Sequence, residues 1–488
     1  MTVSPLEAVR GPLEQAIALY GADLQVVAKL DALRMRIDEP LRVVFVGTVK
    51  SGKSTLLNAL LGEQLAPTDA RECTRIVTWY RHGKSPGVRA RHVVDGNIPI
   101  PMRRQDQRLE LDLAHLDADE IEWLDVTWPA SPLEEFTLID TPGTASISTA
   151  ISERTQEFVA PGGGMSGADA VVYLLRSLHA HDVDFLRTLS ERSGGESSMG
   201  AIAVLSRADE MGSGRLNSMA LVNKAVDRLR EDPTLEAACE TIVPVAGLLA
   251  LAGQTLRQSE FVQLTKIANL PDADLAKVMV SADRFITADV DGIPEPPVRD
   301  QLVRRLGLFG VRLAVAMIRI GMKDATTLSQ ELVKHSGLEE LRRVIDVHFR
   351  RRHPQLKAHA ILLGLHQILT DHPNADAADL LAEIDEQLAD AHPFREMKLL
   401  GRVNSSRLAL SLDDRRELER LLGGSGVTPQ ERLGASATDD LLLLASDALR
   451  KWRGMATNPL LDPDTAEASR LAARSCEGIV AELVDAQP

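Results

Sequence analysis

Apolar residues return at three- and four-residue steps near the start of the chain, through Leu6, Val9, Leu13, Ile17, Tyr20, Leu24, Val27, Leu30 and Ile37. That is the period of a helix with one apolar stripe, so residues 5–38 are expected to form one or two amphipathic helices, broken or kinked at Gly21 and ended by Pro40. Between 41 and about 248 the pattern changes to short apolar runs, at 41–46, 75–80, 88–94, 121–128, 136–140, 168–175, 201–205 and 241–245. Helical periodicity separates some of them, at 152–159, 182–191 and 218–230. Strands alternating with helices predict a three-layer α/β domain with a mainly parallel sheet, and the strands crowded near 75–128 predict an added antiparallel portion.

Beyond about 250 the strand pattern ends, and leucine, alanine and charge recur at helical spacing. Leu302, Leu306, Phe309, Leu313, Met317 and Ile320 are one such series; Ala468, Leu471, Ser475, Ile479 and Leu483 are another. Prolines from Pro271 to Pro463 divide this half into an expected six to ten helices, an elongated all-α bundle into which the first helix folds back. The expected division is 1–40, 41–250 and 251–488.

Composition narrows this picture. A chain of 488 residues with 44% hydrophobic content has room for two or three domains. A net charge of −15 argues against a large nucleic-acid footprint, which needs clustered Lys and Arg. Cys73, Cys239 and Cys476 share no metal-ligand spacing, so neither a disulfide framework nor a zinc site is expected. No apolar run is long enough to span a bilayer and no signal-peptide pattern opens the chain, which reads as cytoplasmic.

The candidate chemistry begins at the first strand. Gly47-Thr48-Val49-Lys50-Ser51-Gly52-Lys53-Ser54-Thr55 fits the phosphate-binding pattern Gly-x4-Gly-Lys-Ser between a β-branched run and a helix-forming segment. Its glycines let the loop curl so that backbone N–H groups converge on phosphate at the positive end of the next helix. Lys53 is expected to bridge the β- and γ-phosphates and Ser54 to hold Mg²⁺. Asp140-Thr141-Pro142-Gly143 follows another strand, as an Asp-x-x-Gly element does, with Asp140 reaching Mg²⁺ through water and the Gly143 N–H sensing the γ-phosphate.

Ser206-Arg207-Ala208-Asp209 follows the 201–205 strand. A carboxylate there accepts from guanine N1–H and N2–H₂, which adenine cannot offer, so Asp209 points to GTP and GDP as ligands. Arg207 is expected to lie along the base, and the main chain at Ala246 to meet guanine O6. In the loop 67–75 a threonine must ligate Mg²⁺ and place the attacking water; Thr74 is preferred over Thr68. Cys73 beside it reads as a small filler.

With the run Asn58-Ala59-Leu60-Leu61-Gly62, Ala66-Pro67-Thr68 and Cys73-Thr74-Arg75-Ile76-Val77-Thr78, the sequence resembles the dynamin superfamily. The spacings agree: Gly47 to Asp140 is 93 residues (140 − 47) and Asp140 to Ser206 is 66 (206 − 140), longer than in a small Ras-type GTPase. Over its whole length, including Ser206-Arg207-Ala208-Asp209-Glu210 and Gly247-Leu248-Leu249-Ala250-Leu251, the chain is similar to the mycobacterial isoniazid-inducible dynamin-like proteins. That resemblance implies a large GTPase head on a helical neck and trunk, head-to-head homodimers or assembly with a longer paralogue, and peripheral membrane remodelling at the inner face of the plasma membrane. It also implies a link to cell-envelope stress.

One position departs from the dynamin pattern, which commonly has a small Ser preceded by Gln where this loop has Val49 and Lys50. Either the Lys50 ammonium supplies the charge that a monovalent cation gives elsewhere, or it stays in solvent. Weaker signals have plain readings. His179-Ala180-His181-Asp182 reads as a solvated helix start, Gly162-Gly163-Gly164 as a flexible loop, and the 306–320 segment as core. The basic series Arg342, Arg343, Arg350, Arg351, Arg352 and Lys357 suits either anionic headgroups or a charged helix face. The function expected is GTP hydrolysis coupled to membrane remodelling. The alternatives are a slow GTP-binding switch or scaffold and a ribosome-associated GTPase, the last disfavoured by the acidic charge.

Overall fold

The computed structural model describes residues 5–66, 76–105, 108–113, 116–117, 120–142, 167–176, 200–210, 218–229, 239–389, 392–400, 402–403 and 408–485. The N-terminal stripe forms two helices, α1 (Pro5–Leu19) and α2 (Leu24–Arg36). They part at the glycine turn because Asp23 caps the second, accepting from the N–H groups of Gln25 and Val26 at 3.0 and 3.2 Å.

The sheet domain follows in the order β1 (Leu41–Gly47), α3 (Lys53–Leu61), β2 (Thr78–His82), β3 (Gly87–His92), β4 (Gly96–Pro99), β5 (Met102–Gln105), β6 (Arg108–Leu111), β7 (Ile121–Trp128), α4 (Pro132–Glu135), β8 (Phe136–Asp140), β9 (Ala170–Leu175), β10 (Ala201–Ser206), α5 (Ser218–Leu229) and β11 (Thr241–Val245). Nine strands join in the order β11-β10-β9-β1-β8-β2-β7-β3-β4. The half from β11 to β8 is parallel and its strands are buried on both faces; β2 turns antiparallel to β8, and β3 and β4 extend the sheet as a hairpin. Alternation along β1 sends Val43 and Phe45 to one core and Val44 and Val46 to the other.

The expected added antiparallel portion is there, but it is larger than the apolar runs indicated. The expected strand 88–94 is a hairpin arm that turns at Asp95-Gly96, with Gly96 at φ 73°, into β4. β5 and β6 pair as a separate two-stranded sheet. Each of β4, β5 and β6 is only four residues long, too short for its one or two apolar positions to register as a run, which is why periodicity missed them.

The helical half runs α6 (Gly247–Gln254), α7 (Gln258–Ala268), α8 (Asp272–Val278), α9 (Ala282–Thr287), α10 (Pro296–Arg319), α11 (Ala325–Lys334), α12 (Leu338–Ile345), α13 (His353–Asp371), α14 (Ala378–Ala389), α15 (His392–Leu400), α16 (Leu412–Leu421), α17 (Pro429–Leu433), α18 (Leu441–Ala456) and α19 (Pro463–Asp485), with one π-helical turn at Asp346–Arg350. Thirteen α-helices begin beyond residue 250 among the described residues, more than the expected six to ten. Proline is one terminator among several: Ser281, Asp324, Ser411 and Asp440 open helices as capping residues, and Gly337 opens one in the left-handed region.

Three cores lie in this half. One joins α6, α7, α10 and α11 through Leu249, Leu264, Leu306, Phe309 and Leu328. A second packs α1 and α2 on α13 and α14, where Leu13, Leu30 and Leu33 meet Ile361, Leu365 and Ile384. A third gathers Leu418, Trp452, Ala472 and Ile479 of α16, α18 and α19. Helix α12 is bound to the sheet instead, with Leu338, Leu341 and Val344 in the same core as Val43 and Phe45.

The basic series has internal partners throughout. Arg343 pairs with Glu340, Arg350 and Arg351 with Asp346, and buried Arg352 lies 3.9 Å from Glu396. The Arg342 guanidinium donates to the Ala59 carbonyl, and the Lys357 ammonium to the carbonyls that end α2.

Candidate functional site

At the end of β1 the chain must pass close under β9, and Gly47 permits it: a Cβ there would stand 2.8 Å from the Leu174 carbonyl oxygen and 2.9 Å from Ser51 Oγ. The loop closes as a turn in which the Ser51 N–H donates to Thr48 O at 3.0 Å. Val49 and Lys50 project from its exposed tip, Lys50 at φ 62°, and Gly52 enters α3 at φ 92° without a capping side chain. A non-glycine residue held at positive φ stores strain of order 1–3 kcal/mol, which the surrounding turn sustains. The first turn of α3 therefore faces the loop's hollow with no side-chain oxygen standing in for an anion.

Inside that hollow, Lys53 is buried with its ammonium donating to Gly47 O at 3.2 Å. Burial lowers its pKa, and the neighbouring Asp140 charge opposes the shift. Ser54 Oγ donates to Asp140 Oδ2 at 3.1 Å, whereas Asp140 Oδ1 is buried with no hydrogen-bond partner. Burial raises the Asp140 pKa against the pull of Lys53 and Ser54. A hydroxyl beside a carboxylate with one oxygen left over is a hard-oxygen donor set, and it fits a divalent cation such as Mg²⁺ that keeps water and phosphate among its ligands. Thr141, next along the chain, is turned inward, its hydroxyl donating to Phe45 O at 2.8 Å.

Across the loop lies an open cleft of about 550 Å³, whose lining includes Thr55, Ser206, Arg207, Asp209 and Gly247. Ser206 Oγ donates to the Leu175 carbonyl at 3.0 Å, tying β10 to β9 and so directing the following turn outward. Arg207 adopts φ 53°, and its guanidinium is held at 2.8 Å by Glu210, which also accepts from Arg176 at 3.3 Å. Asp209 is buried, and burial raises its pKa. A carboxylate so placed gains from any ligand that brings N–H donors into the cleft.

The structure thus brings together Gly47, Thr48, Val49, Lys50, Ser51, Gly52, Lys53, Ser54, Thr55 and Asp140, with Ser206, Arg207 and Asp209 across the cleft. One expectation changes. Ala246 is fully buried and donates its N–H to Ser336 O at 2.8 Å, so that N–H is not presented to a base; the lining of the cleft passes to Gly247 and Leu248. Arg207 lines the cleft and carries a surface ion pair with Glu210. Thr74, its alternative Thr68, Cys73 and Gly143 lie outside the described residues, as do the glycine run 162–164, the 179–182 segment and the expected helices 152–159 and 182–191.

Sequence reading missed Glu210, Leu248 and the buried Asn58, whose amide bridges Leu65 and Ala66 at 2.7 to 2.8 Å and so sets the chain entering 67–75. For Glu210 a signal existed, an acid three residues after Arg207, whereas nothing local marks Asn58 as a loop anchor.

Residues 43–196 match the Dynamin family. Over 490 aligned residues the chain is 40% identical to the isoniazid-induced protein IniC of Mycobacterium tuberculosis, in two strains, with 99% of each chain covered. It is 31% identical over 114 residues to a bacterial dynamin-like protein of Nostoc punctiforme, covering 21% of this chain and 16% of that one. A solved structure of an oligomerised bacterial dynamin pair aligns at 14% identity and TM-score 0.36, covering 99% of this chain and 75% of the other, a superposition too loose to carry an argument.

Proposed function

The chain belongs to the dynamin family and is a GTP hydrolase, and from that premise we propose that it couples GTP-dependent dimerisation of its heads to peripheral remodelling of a membrane. The observation that carries the hydrolytic half is the convergence of Lys53, Ser54 and Asp140, with its unpartnered oxygen, opposite buried Asp209. In this reading residues 41–250 are the head, and 1–40 with 251–488 are the helical bundle that moves on it.

GTP is held by the backbone of 47–55, with the Lys53 ammonium on the β- and γ-phosphates and Asp209 accepting from the guanine N1–H and N2–H₂. Ser54, Thr74 and, through water, Asp140 would hold Mg²⁺, which would supply positive charge against that developing on the phosphates. Thr74 also orients the attacking water, and the Gly143 N–H reads the γ-phosphate. The products are GDP and phosphate. Lys50, at the strained tip of the loop, supplies further positive charge to the transition state in place of a monovalent cation.

A second reading, a GTP-binding switch or scaffold assembling with a longer paralogue, is favoured by one observation: the densest basic series is engaged in internal pairs and carbonyl contacts and offers little charge to headgroups. The name of the mycobacterial relative, isoniazid-induced, supports a role under cell-envelope stress in either reading. Co-sedimentation with anionic liposomes under GTP, with turnover measured alongside, separates them. Binding with stimulated turnover is expected for remodelling; neither binding nor stimulation would leave the scaffold.

A further inference from the structure

Both walls of the base cleft are held from far along the chain. Helix α10 is continuous except at Gly307, where φ 68° and ψ 166° interrupt it in a backbone region open to glycine. That interruption lies against the base-reading carboxylate: a Cβ built on Gly307 would stand 3.4 Å from Asp209 Oδ2, its nearest neighbour beyond the local helix. The break cannot drift, because α10 is pinned on both sides of it. Leu302 and Leu306 before it and Phe309 and Val311 after it are buried in the core that contains Leu249, and Gly310 lets the Leu249 side chain approach to where a Cβ would be 3.1 Å away.

The opposite wall is fixed the same way. The turn between α11 and α12 accepts the Ala246 N–H at the Ser336 carbonyl, 2.8 Å away. Gly337, at φ 80°, lies so close under β11 that a Cβ would meet the Pro244 oxygen at 2.2 Å. Position 307 lies 98 residues beyond Asp209 (307 − 209), and Ser336 lies 90 beyond Ala246 (336 − 246).

We infer that Gly307 is a specificity-determining position for guanine, the break in α10 setting the distance and direction of the Asp209 carboxylate. This rests on the proposed reading of Asp209 as the acceptor for guanine N1–H and N2–H₂. A methyl group at 307 would come into van der Waals contact with Oδ2, and its backbone would be strained at φ 68°, so relief of that strain would shift the helix. The shift displaces a charge-assisted pair of hydrogen bonds whose strength falls steeply with geometry. Gly307 is not among the residues lining the phosphate loop, so the loss falls on the base.

The test compares GDP with IDP, whose hypoxanthine lacks the 2-amino donor, on the full chain. Gly307→Ala is expected to weaken GDP binding by about tenfold or more and IDP by less, narrowing the GDP/IDP ratio at least about fivefold. Leu302→Ala, which loosens the same helix five residues before the break, should lower Tm and leave the ratio unchanged. Equal loss of both nucleotides in Gly307→Ala overturns the inference. Asp209→Ala separates the two readings: if it collapses the ratio while Gly307→Ala does not, Gly307 has no such role, and if it too leaves the ratio intact, the guanine reading itself falls. If Gly307→Ala does not fold, hydrogen exchange on the unmodified chain decides: amides of 303–312 should gain more protection with GDP than with IDP, and equal protection overturns the inference.

Discussion

Lys53 and Lys357 are both buried lysines, and they are held in opposite ways. In the sheet domain the Lys53 ammonium has one carbonyl at 3.2 Å and a carboxylate nearby whose second oxygen has no partner. In the helical half Lys357 donates to three carbonyls at the end of α2, those of Arg36, Glu39 and Pro40, and burial first, with the Arg36 and Arg42 charges, lowers its pKa to about 8. The carboxylates repeat the contrast. Asp140 keeps an oxygen open, whereas Glu396 is enclosed by Ser475, Arg432, His392 and Arg352. An unsatisfied buried polar group costs about 1–3 kcal/mol, so a ligand that partners the open Asp140 oxygen beside Lys53 and Ser54 would recover that cost, whereas Glu396 has nothing left to gain.

The sharpest way to break this contrast is to remove each lysine's or carboxylate's role and ask what is lost. Lys53→Ala should reduce GTP turnover by on the order of 100-fold or more while moving Tm little, because among the described residues its hydrogen bond is a single one, to Gly47 O. Retained turnover would mean that the open charge is not there for the phosphates.

Glu396→Ala should do the reverse. It leaves buried Arg352 and half-buried Arg432 without their carboxylate, a loss of about 3–5 kcal/mol in denaturant unfolding, with turnover per folded molecule unchanged. The same enclosure predicts a response to acid. Burial alone would raise the Glu396 pKa, but the His392 hydrogen bond and the Arg432 and Arg352 charges hold it at about 2, below its ordinary 4.5. Its stabilisation is present above 4.5 and is lost as pH falls from there towards 2. His359, kept neutral by burial with a pKa of about 3 against an ordinary 6.5, adds a loss that begins below 6.5. Asp140 carries the opposite sign, since a raised pKa means that protonation relieves its buried charge. Hydrogen exchange at pH 7 and pH 4 should therefore show α13 and α15–α19 opening before β1 and β8; uniform opening would remove the distinction.

Lys50 sharpens the contrast at its exposed edge. Lys50→Ala should lower turnover about tenfold, and the unmodified chain should turn over GTP alike in Na⁺, K⁺ and Cs⁺. Strong K⁺ dependence, or a Lys50→Ala variant at full rate, would return Lys50 to solvent.

Much of the architecture could be read before any fold was in view. The stripe from Leu6 to Ile37 forecast paired helices parting near Gly21, and the strands carrying Gly47, Asp140 and Ser206 were evident as apolar runs. The pair β5–β6 was not, because strands of four residues are too short for their alternation to stand out. The count of helices beyond 250 was too low because serine, aspartate and glycine open new helices at positions that no proline marks.

Sequence alone marked the loops that the proposed chemistry uses, because each lies where a strand runs out into a turn, and a strand's apolar run and the glycines after it are local signals. Tertiary structure alone decided which polar groups stay open. That Ala246 gives its N–H to Ser336 and that a glycine at 307 stands beside Asp209 depend on packing between segments, both contacts spanning ninety residues or more. A hydrogen bond or a close approach is a property of two positions at once, and no periodicity in either segment encodes the other.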